Sequence, residues 1–419
     1  MKRVVVVGGG PAGMMAAISA AAGGGRVKLL EKKSALGKKL EITGKGRCNL
    51  TNSRQVGEFI AQYPGNGRFL YSALHQFSNQ DLIDFFEGRG VKTKIERGQR
   101  VFPASDQAAD IVQALHHSLM EHGVEVIKPC RVSDIVIEES RVLGVKTDQG
   151  CIEGDAVIIA TGGLSYPGTG STGDGYQWAA KAGHSIITPR PGLVPLEAAE
   201  TWVKQCQGLS LKNVQATAYD EKGRMINQEC GEMLFTHFGV SGPIILTMSS
   251  DIARLLSDEG KKVTLHIDLK PALSPEKLDE RLQRDLELYS RKQFKNALID
   301  LLPRLLIPVI VSLSGIDAHK PCHQVTRTER LRLLDILKKL PLTISATRPI
   351  KEAIVTRGGV DVAAVDPRTM QSKLALDLFF AGEILDIDGY TGGFNLQAAF
   401  STGFVAGKYA ARYAVDSTH

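Results

Sequence analysis

The first part of the chain alternates apolar runs with glycine-rich turns. Val4 to Val7 is a short apolar run, followed by glycines and by a stretch of small residues from Pro11 to Ala22. A second apolar run, Val27 to Leu30, ends on Glu31. Short apolar runs bounded by glycine are typical of buried parallel strands, and the small-residue stretch predicts a helix that packs closely on them. The pattern therefore predicts a β-α-β unit at the start of the chain.

Two later changes in the pattern predict the domain organisation. Alternating runs within Val124 to Thr147 predict a small antiparallel sheet, and the chain remains glycine-rich to about residue 190. Residues 191–349 carry short β-like runs and then charged segments with helical spacing of leucine, which predicts an inserted domain with a β part and a helical part. From residue 350 to 419 the glycine-rich pattern resumes. We therefore expect a discontinuous first domain, 1–190 with 350–419.

The glycines after the first strand have the spacing of a dinucleotide fingerprint. Gly8 would make the tight turn, Gly10 would let the backbone approach a pyrophosphate, and Gly13 would allow close packing of helix on strand. The N-terminal amides of the helix would face the phosphates, and a missing amide hydrogen at Pro11 costs little there. Glu31 can accept hydrogen bonds from both adenosine ribose hydroxyls and would repel a phosphate at that ribose. These residues predict FAD or NAD and disfavour NADP.

Composition and charge narrow the classes of function. The net charge of +6 is small for 419 residues and does not by itself indicate nucleic acid. The longest apolar stretch, Leu301 to Leu313, is interrupted by prolines and an arginine, so we expect no membrane span. The early glycines also argue against an export signal.

The cysteines predict a reducing compartment. Six cysteines form no CxxC pair, so we expect free thiols and a cytoplasmic protein. Cys322 lies between His319 and His323 without a second cysteine or an acid beside it. We therefore expect no metal site.

Several longer segments carry a family resemblance. They are Gly44-Lys-Gly-Arg-Cys-Asn-Leu-Thr-Asn52, Thr161-Gly-Gly-Leu-Ser-Tyr-Pro167 with Thr169 to Gly175, Leu234 to Pro243, and Gly382-Glu383 with Asp388 to Gln397. With them the chain resembles the YhiN/BaiN-like family of FAD-dependent oxidoreductases, flavoproteins of the two-dinucleotide-binding superfamily. The resemblance implies an α/β fold in which a Rossmann-like FAD-binding domain is interrupted by an insert. The insert would have a β-barrel part, about 191–272 and 340–349, and a helical part, about 273–339.

The resemblance also implies a set of FAD-binding residues. Arg47 and Thr51 would hydrogen-bond the cofactor, and Glu383 would reach the ribitol. Backbone groups of Val132 would meet the adenine, and amides at Asn395 and Leu396 would face the flavin N1 and O2 edge. The full expected set is Gly8, Gly10, Pro11, Ala12, Gly13, Glu31, Lys32, Lys39, Gly46, Arg47, Cys48, Asn49, Thr51, Val132, Thr161, Gly162, Gly163, Gly382, Glu383, Asn395 and Leu396.

Simpler interpretations of these segments stay open at this point. The segment Lys39 to Asn52 could be a solvated loop, Val132 a plain core residue, and the C-terminal helix a packing element. Gly168 to Gly173 also matches GxGxxG, but no strand directly precedes it, so we interpret it as a helix-opening loop rather than a separate nicotinamide site.

Candidate proton donors are His237, in a loop of the insert, and Tyr390, just before the glycines that open the C-terminal helix. A lone histidine is more often structural. The leading hypothesis is hydride transfer between FAD and a small organic substrate, including reduction of a carbon-carbon double bond, with NADH or NADPH as a transient electron donor.

Two other functions remain open. One is a flavin-dependent RNA-modifying protein, because related folds act on tRNA and the insert helices carry cations. These cations are Arg281, Arg284, Arg291, Lys292 and Lys295. Acidic residues interleave with them, so we do not expect a nucleic-acid partner. The other is a non-catalytic flavin-binding regulatory protein. The oligomeric state is left open.

Overall fold

The chain divides into two compact units. The computed structural model describes residues 1–256 and 261–412. The first unit comprises Met1–Arg190 and the chain from Ile354 onward, and the second comprises Pro191–Ala353. Residues 257–260 of the predicted insert and residues 413–419 of the predicted last segment lie outside the described residues.

The secondary structure alternates along both units. The strands are β1 Arg3–Val7, β2 Arg26–Leu30, β3 Thr51–Asn52, β4 Thr93–Glu96, β5 Arg100–Pro103, β6 Glu125–Ile127, β7 Val132–Glu138, β8 Arg141–Thr147, β9 Gly150–Glu153, β10 Ala156–Ile159, β11 Ile186–Gly192, β12 Leu196–Ala198, β13 Ser210–Tyr219, β14 Met225–Phe235, β15 Gly239–Ser241, β16 Val263–Asp268, β17 Leu340–Thr347, β18 Val355–Val360 and β19 Leu378–Phe380. The helices are α1 Pro11–Ala22, α2 Lys38–Ile42, α3 Val56–Phe59, α4 Tyr71–Gln76, α5 Asn79–Glu87, α6 Ala108–Glu121, α7 Asp174–Lys181, α8 Pro243–Leu256, α9 Pro275–Leu288, α10 Phe294–Ala297, α11 Ile307–Ser314, α12 Arg327–Lys338 and α13 Phe394–Ala410.

A parallel sheet forms the centre of the first unit. Its order is β19-β10-β1-β2-β6, with β1 between β10 and β2. All four valines of β1 are buried, as a strand covered on both faces requires. The predicted Rossmann-like fold is confirmed. One detail of the prediction is wrong: the run at 124–126, assigned to an antiparallel sheet, contributes to β6, which pairs in parallel with β2, and only β7, β8 and β9 form the antiparallel sheet. A three-residue run carries too little periodicity to distinguish the two.

Helices α1 and α13 pack against each other in parallel. A Cβ at Gly403 would overlap the Ala12 carbonyl, and one at Gly407 would overlap the Ala16 carbonyl, so each glycine permits close backbone approach. Both contacts advance by one turn in the same direction. The two helix N-termini therefore point the same way.

The second unit contains a barrel and a group of helices. The strand order β12-β15-β14-β13-β16-β17 closes on itself, because β12 also pairs with β17. Helix α8 packs on β14, and α9 to α12 lie in the chain between β16 and β17. The β-barrel part and the helical part of the insert are confirmed. Within residues 1–256 and 261–412, every helix is too short or too polar to cross a bilayer.

Candidate cofactor site

The glycine turn after β1 has the geometry that a pyrophosphate needs. Gly8 has φ +112°, and a Cβ at Gly13 would overlap the Gly8 carbonyl. At Gly10, in contrast, a Cβ would meet nothing within 4 Å. The first bond inside α1 runs from Met14 N–H to Gly10 O (2.9 Å), so the amides of Ala12 and Gly13 have no acceptor within the helix. An open space in front of an uncapped helix N-terminus fits an anionic diphosphate.

Glu31 is held at the end of β2 beside this turn. Its Oε2 accepts from Gly9 N–H (2.8 Å), and its Oε1 accepts from Lys33 N–H (2.7 Å). A carboxylate oxygen has further acceptor capacity after one hydrogen bond. The two backbone bonds orient the Glu31 carboxylate at the glycine turn, where the ribose of a dinucleotide would lie. This position fits the predicted role.

The N-terminus of α13 provides a second uncapped helix end. Its N-cap residue, Gly393, has φ +98°, and the first bond inside the helix joins Gln397 N–H to Gly393 O (3.1 Å). The amides of Asn395 and Leu396 therefore have no acceptor within the helix. Gly403 of α13 contacts Ala12 of α1. At 1.5 Å per residue, α13 begins about 13 Å before this contact, whereas α1 begins only one residue before it. The two parallel N-termini are thus offset along one direction, as the diphosphate and flavin ring of an extended FAD require.

Residues 49–52 support the turn that opens α13. The Asn49 side-chain amide lies between Thr51 O (3.2 Å) and Gly393 N (3.1 Å), and Thr51 Oγ1 bonds Gln397 Oε1 (2.6 Å). Asn52 Nδ2 donates to Gly392 O (3.1 Å). Asn49 and Thr51, predicted as cofactor ligands, therefore use their side chains in the structure to shape the α13 N-terminus. Direct contacts from them to FAD stay a prediction.

The Asn395 side chain holds the backbone just before α13. Its Oδ1 accepts from Gly389 N–H (2.8 Å), and its Nδ2 donates to Gly389 O (2.7 Å). This pairing leaves the Asn395 backbone amide, rather than its side chain, for a flavin. Leu396 is half-buried against the core of the first unit.

Lys39 and Glu383 belong to a single polar network. Lys39 Nζ donates to Glu383 Oε2 (2.5 Å) and to Ser165 Oγ (2.6 Å), and Ser165 Oγ also lies 2.8 Å from Glu383 Oε1. Thr356 N–H donates to Glu383 Oε1 (2.7 Å). Thr356 Oγ1 in turn accepts from the backbone N–H of Ser165 (3.1 Å). Residues 344 positions apart along the chain are thereby brought together beside the Thr161-Gly-Gly163 turn.

Sequence reasoning gave no role to Ser165 or Thr356. A Cβ at Gly163 would overlap Thr356 Oγ1, so the second glycine of the Thr161-Gly-Gly163 turn provides the space for this hydroxyl. Ser165 lies in one of the segments that carry the family resemblance, but its pairing with Thr356 joins positions 191 residues apart. No local signal reports such a contact.

The basic loop before β3 has partners of its own. Arg47 Nε donates to Asp106 Oδ1 (2.8 Å), its Nη2 lies 2.5 Å from Glu96 Oε1, and its guanidinium stacks 4.3 Å from the Phe102 ring centroid. These bonds raise the pKa of the Arg47 guanidinium and lower those of both carboxyls. Its predicted bond to FAD would compete with them and stays a prediction.

Cys48 is inaccessible to solvent. Its exposed fraction is 0%, and burial raises the pKa of the thiol to about 12. A protonated, buried thiol fits a packing role or a backbone contact and not a redox centre. Gly46, with φ +85°, supplies the turn before it.

The remaining predicted residues lie around the same unit. Lys32 Nζ pairs with Asp174 (2.7 Å) at the start of α7. Val132 opens β7 and is 5% exposed. Gly162 (φ +72°) follows Thr161, whose hydroxyl is buried without a hydrogen-bond partner among the described residues. Gly382 (φ +78°) lies against the Ala12 methyl, and its N–H donates to Thr402 Oγ1 (3.0 Å).

The two candidate proton donors lie in different units. Tyr390 is in the first unit, and its backbone N–H donates to Gln62 O (2.9 Å). His237 is in the second unit, exposed in the turn between β14 and β15 and stacked edge-on with Phe238. Their roles stay predictions.

The family assignment follows from the sequence match over this fold. The family described as "HI0933-like protein Rossmann domain" matches residues 2–409. The chain belongs to this family. Its members resemble the chain along both the cofactor site and the insert, since the match spans both units.

Two curated relatives match nearly the whole length of this chain. The chain is 32% identical to the 3-dehydro-bile acid delta(4,6)-reductase of Clostridium scindens, over 92% of this chain and 93% of that protein. It is 30% identical to the ribosomal RNA dihydrouridine synthase of Haemophilus influenzae, over 88% of each. Among solved structures, a flavocytochrome c3 fumarate reductase matches 99% of this chain and 79% of its own, with TM-score 0.55 and 18% identity. That likeness supports the fold.

Taken with the site, these relationships identify the chain as an FAD-dependent oxidoreductase. The alternative of a non-catalytic flavin-binding protein is therefore set aside. The expectation of no nucleic-acid partner is not supported, because two relatives are named for an RNA reaction.

Proposed function

We propose that this chain reduces a carbon-carbon double bond conjugated to a carbonyl group. The observation that carries the proposal is the full-length relationship to a protein named as a bile acid delta(4,6)-reductase. The reaction named for the dihydrouridine synthase has the same chemistry, since dihydrouridine is uridine with one ring double bond reduced. A small organic enone is the first candidate substrate.

The chain's residues fit the group that such a reaction needs. FAD in its reduced form would supply the hydride, and NADH or NADPH would then reduce the oxidised flavin again. The amides of Ala12 and Gly13 would hold the diphosphate, and Glu31 the adenosine ribose. The amides of Asn395 and Leu396 would offer positive potential where negative charge develops on reduction.

The reduction also needs a proton. The alkene gains a hydride at one carbon and a proton at the other, so an acid must lie near the second carbon. We propose Tyr390 and His237 as the candidates. The variants Tyr390→Phe and His237→Asn remove one donor each. The variant that lacks the true proton donor should reduce the substrate more slowly. Its rate of flavin reduction by the nicotinamide donor should stay unchanged.

A base in RNA is the second candidate substrate. It is favoured by the relative named as a ribosomal RNA dihydrouridine synthase, which is nearly as similar to this chain as the bile acid reductase. A uracil double bond is conjugated to a ring carbonyl, so the same hydride chemistry would serve both substrates.

One experiment tests the proposal and separates the candidates. The FAD-loaded protein would be mixed anaerobically with NADH or NADPH in a stopped-flow instrument, and the flavin absorbance followed. A 3-oxo-Δ4 steroid or a uridine-containing RNA would then be added to the reduced protein. Reoxidation with formation of the saturated product supports the proposal and names the substrate class. Reoxidation by oxygen alone, with neither product, would overturn it.

A further inference from the structure

Two antiparallel segments in the helical part of the second unit concentrate positive charge. Cys322 N–H donates to Lys292 O (3.0 Å), His323 N–H to Ser290 O (3.1 Å), and Phe294 N–H to Lys320 O (2.8 Å). Residues 290–295 and 318–323 thus lie side by side and are called the basic ribbon below. Neither segment contains an Asp or Glu.

Two buried side chains of the basic ribbon pack into the hydrophobic core of the second unit. Phe294 is 0% exposed and Cys322 is 2% exposed, and both belong to the hydrophobic core of the second unit. The outward-facing residues are polar or basic. They are Arg291, Lys292, Gln293, His319 and His323. The ribbon therefore presents its cations from a backbone that packing and hydrogen bonds hold in place.

Three of the ribbon's cations keep their charge uncompensated. No carboxylate of the residues 1–256 and 261–412 lies within ion-pair distance of Arg291, Lys292 or Lys295. Lys320 alone is paired, with Glu329 Oε1 at 2.8 Å. Lys292 Nζ lies 4.2 Å from the Tyr289 ring centroid, and the Tyr289 hydroxyl bonds Asp300, which orients that ring under the ammonium.

Three cations of helices α9 and α12 form ion pairs instead. Arg281 pairs with Asp285 (2.8 Å), and Arg330 pairs with Asp279 (2.7 Å). Lys338 pairs with Asp268 (2.5 Å). The interleaved acids that argued against a basic face thus pair with these three helix cations. Among the described residues, Arg291, Lys292 and Lys295 of the ribbon have no such partner.

We propose that the basic ribbon binds the phosphodiester backbone of an RNA. The proposal rests on the second candidate of the proposed function and gives it a docking surface in the insert. Unpaired Arg and Lys side chains on a rigid support are the groups that bind nucleic-acid phosphates. A membrane surface would call for apolar side chains inserted beside the cations, and a protein partner for an exposed aromatic anchor, and the outward-facing residues of the ribbon include neither.

The test compares two variants of the FAD-loaded protein with equal loss of charge. The ribbon variant carries Arg291→Gln, Lys292→Gln and Lys295→Gln. The control carries Lys204→Gln, Lys212→Gln and Lys222→Gln, three exposed lysines of the same unit outside the ribbon. Binding to a fluorescent, uridine-containing stem-loop RNA is measured by anisotropy across a series of salt concentrations. Circular dichroism and flavin absorbance check that each variant is folded and loaded.

The expected result is a change in salt dependence confined to the ribbon variant. The slope of log K against log salt should become shallower by about 2 for three lost phosphate contacts, with affinity at about 0.1 M salt reduced at least about tenfold. The control should keep the parent slope. Should the triple variant unfold, Arg291→Gln and Lys295→Gln singly carry the test, each with a slope change of about 0.7.

Failure of the ribbon and failure of the proposed function give different results. Unchanged RNA binding in the ribbon variant, with dihydrouridine still formed, would overturn the proposal that the ribbon binds RNA. It would leave the proposed reductase function intact. Equal weakening in ribbon and control variants reports net charge alone and also overturns it. A parent protein that binds no RNA but is reoxidised by a small enone overturns the ribbon together with the RNA candidate.

Discussion

Replacing Gly10 by alanine should separate cofactor binding from folding. Gly10 has φ −81° and ψ −177°, which alanine adopts readily, and its added Cβ would meet nothing within 4 Å. Alanine is a poorer N-cap than glycine, which destabilises the folded protein, but it also reduces the freedom of the unfolded chain, which stabilises it. Because these effects oppose each other, the free energy of unfolding of the apoprotein should change by less than about 1 kcal/mol. The open space that the methyl enters is the one assigned here to the diphosphate.

The expected loss of FAD affinity follows from the hydrogen bonds displaced. Bonds from the Ala12 and Gly13 amides to a charged phosphate are worth about 1.5–3 kcal/mol each. Lengthening one of them should raise the Kd about ten- to hundredfold. Flavin fluorescence quenching during titration of the apoprotein measures this directly. An unchanged Kd in a folded Gly10→Ala protein would refute the placement of the diphosphate.

Two further glycines provide comparisons, and Gly57 is the matched control. Gly57 also has nothing within 4 Å of its would-be Cβ but lies in α3, so Gly57→Ala should bind FAD normally. At Gly13 the Cβ would overlap the Gly8 carbonyl, so Gly13→Ala should destabilise the apoprotein by about 1–3 kcal/mol, seen as a lowered Tm.

Three other outcomes are expected. Lys2 Nζ lies 2.7 Å from Asp377 Oδ1, and both residues are buried. Lys2→Met leaves Asp377 with Arg141 alone and should lower the free energy of unfolding by about 3 kcal/mol in urea denaturation, and a loss below about 0.5 kcal/mol would contradict this account. Burial lowers the pKa of His184, whose Nε2 lies 2.7 Å from Ser372 Oγ. Below about pH 6.5 the unfolded chain binds a proton at His184 that the native state does not, so the free energy of unfolding decreases as the pH is lowered. His184→Gln should flatten this dependence between about pH 8 and 5.5. Equal slopes in both proteins would exclude His184 as the cause. Native Cys48 should resist iodoacetamide at about pH 8 while the exposed Cys151 and Cys230 react, as read by mass spectrometry, because its thiol pKa is raised to about 12. Labelling of Cys48 at the rate of Cys151 would show that the site opens.

Local patterns predicted the elements whose signals lie within a few residues. The helix Pro11–Ala22 was predicted with its observed bounds, because proline, small residues and terminal glycines mark both its ends. The strand predicted at 27–30 differs from β2 by one residue. The antiparallel pairing predicted for residues 124–126 was wrong, because three residues do not reveal whether their partner strand is parallel.

The sequence by itself determined the cofactor class of this protein and the kind of fold that holds it. Glycine spacing, apolar runs and an acid after the second strand are local features, and each has its physical effect within one turn or strand. Only the tertiary structure decided which charges remain free. Arg47 meets Glu96 and Asp106, Lys39 meets Glu383, and the cations at 291–295 meet no acid among the described residues. Ion pairing depends on distances of a few ångströms between residues far apart in sequence, and folding alone sets those distances.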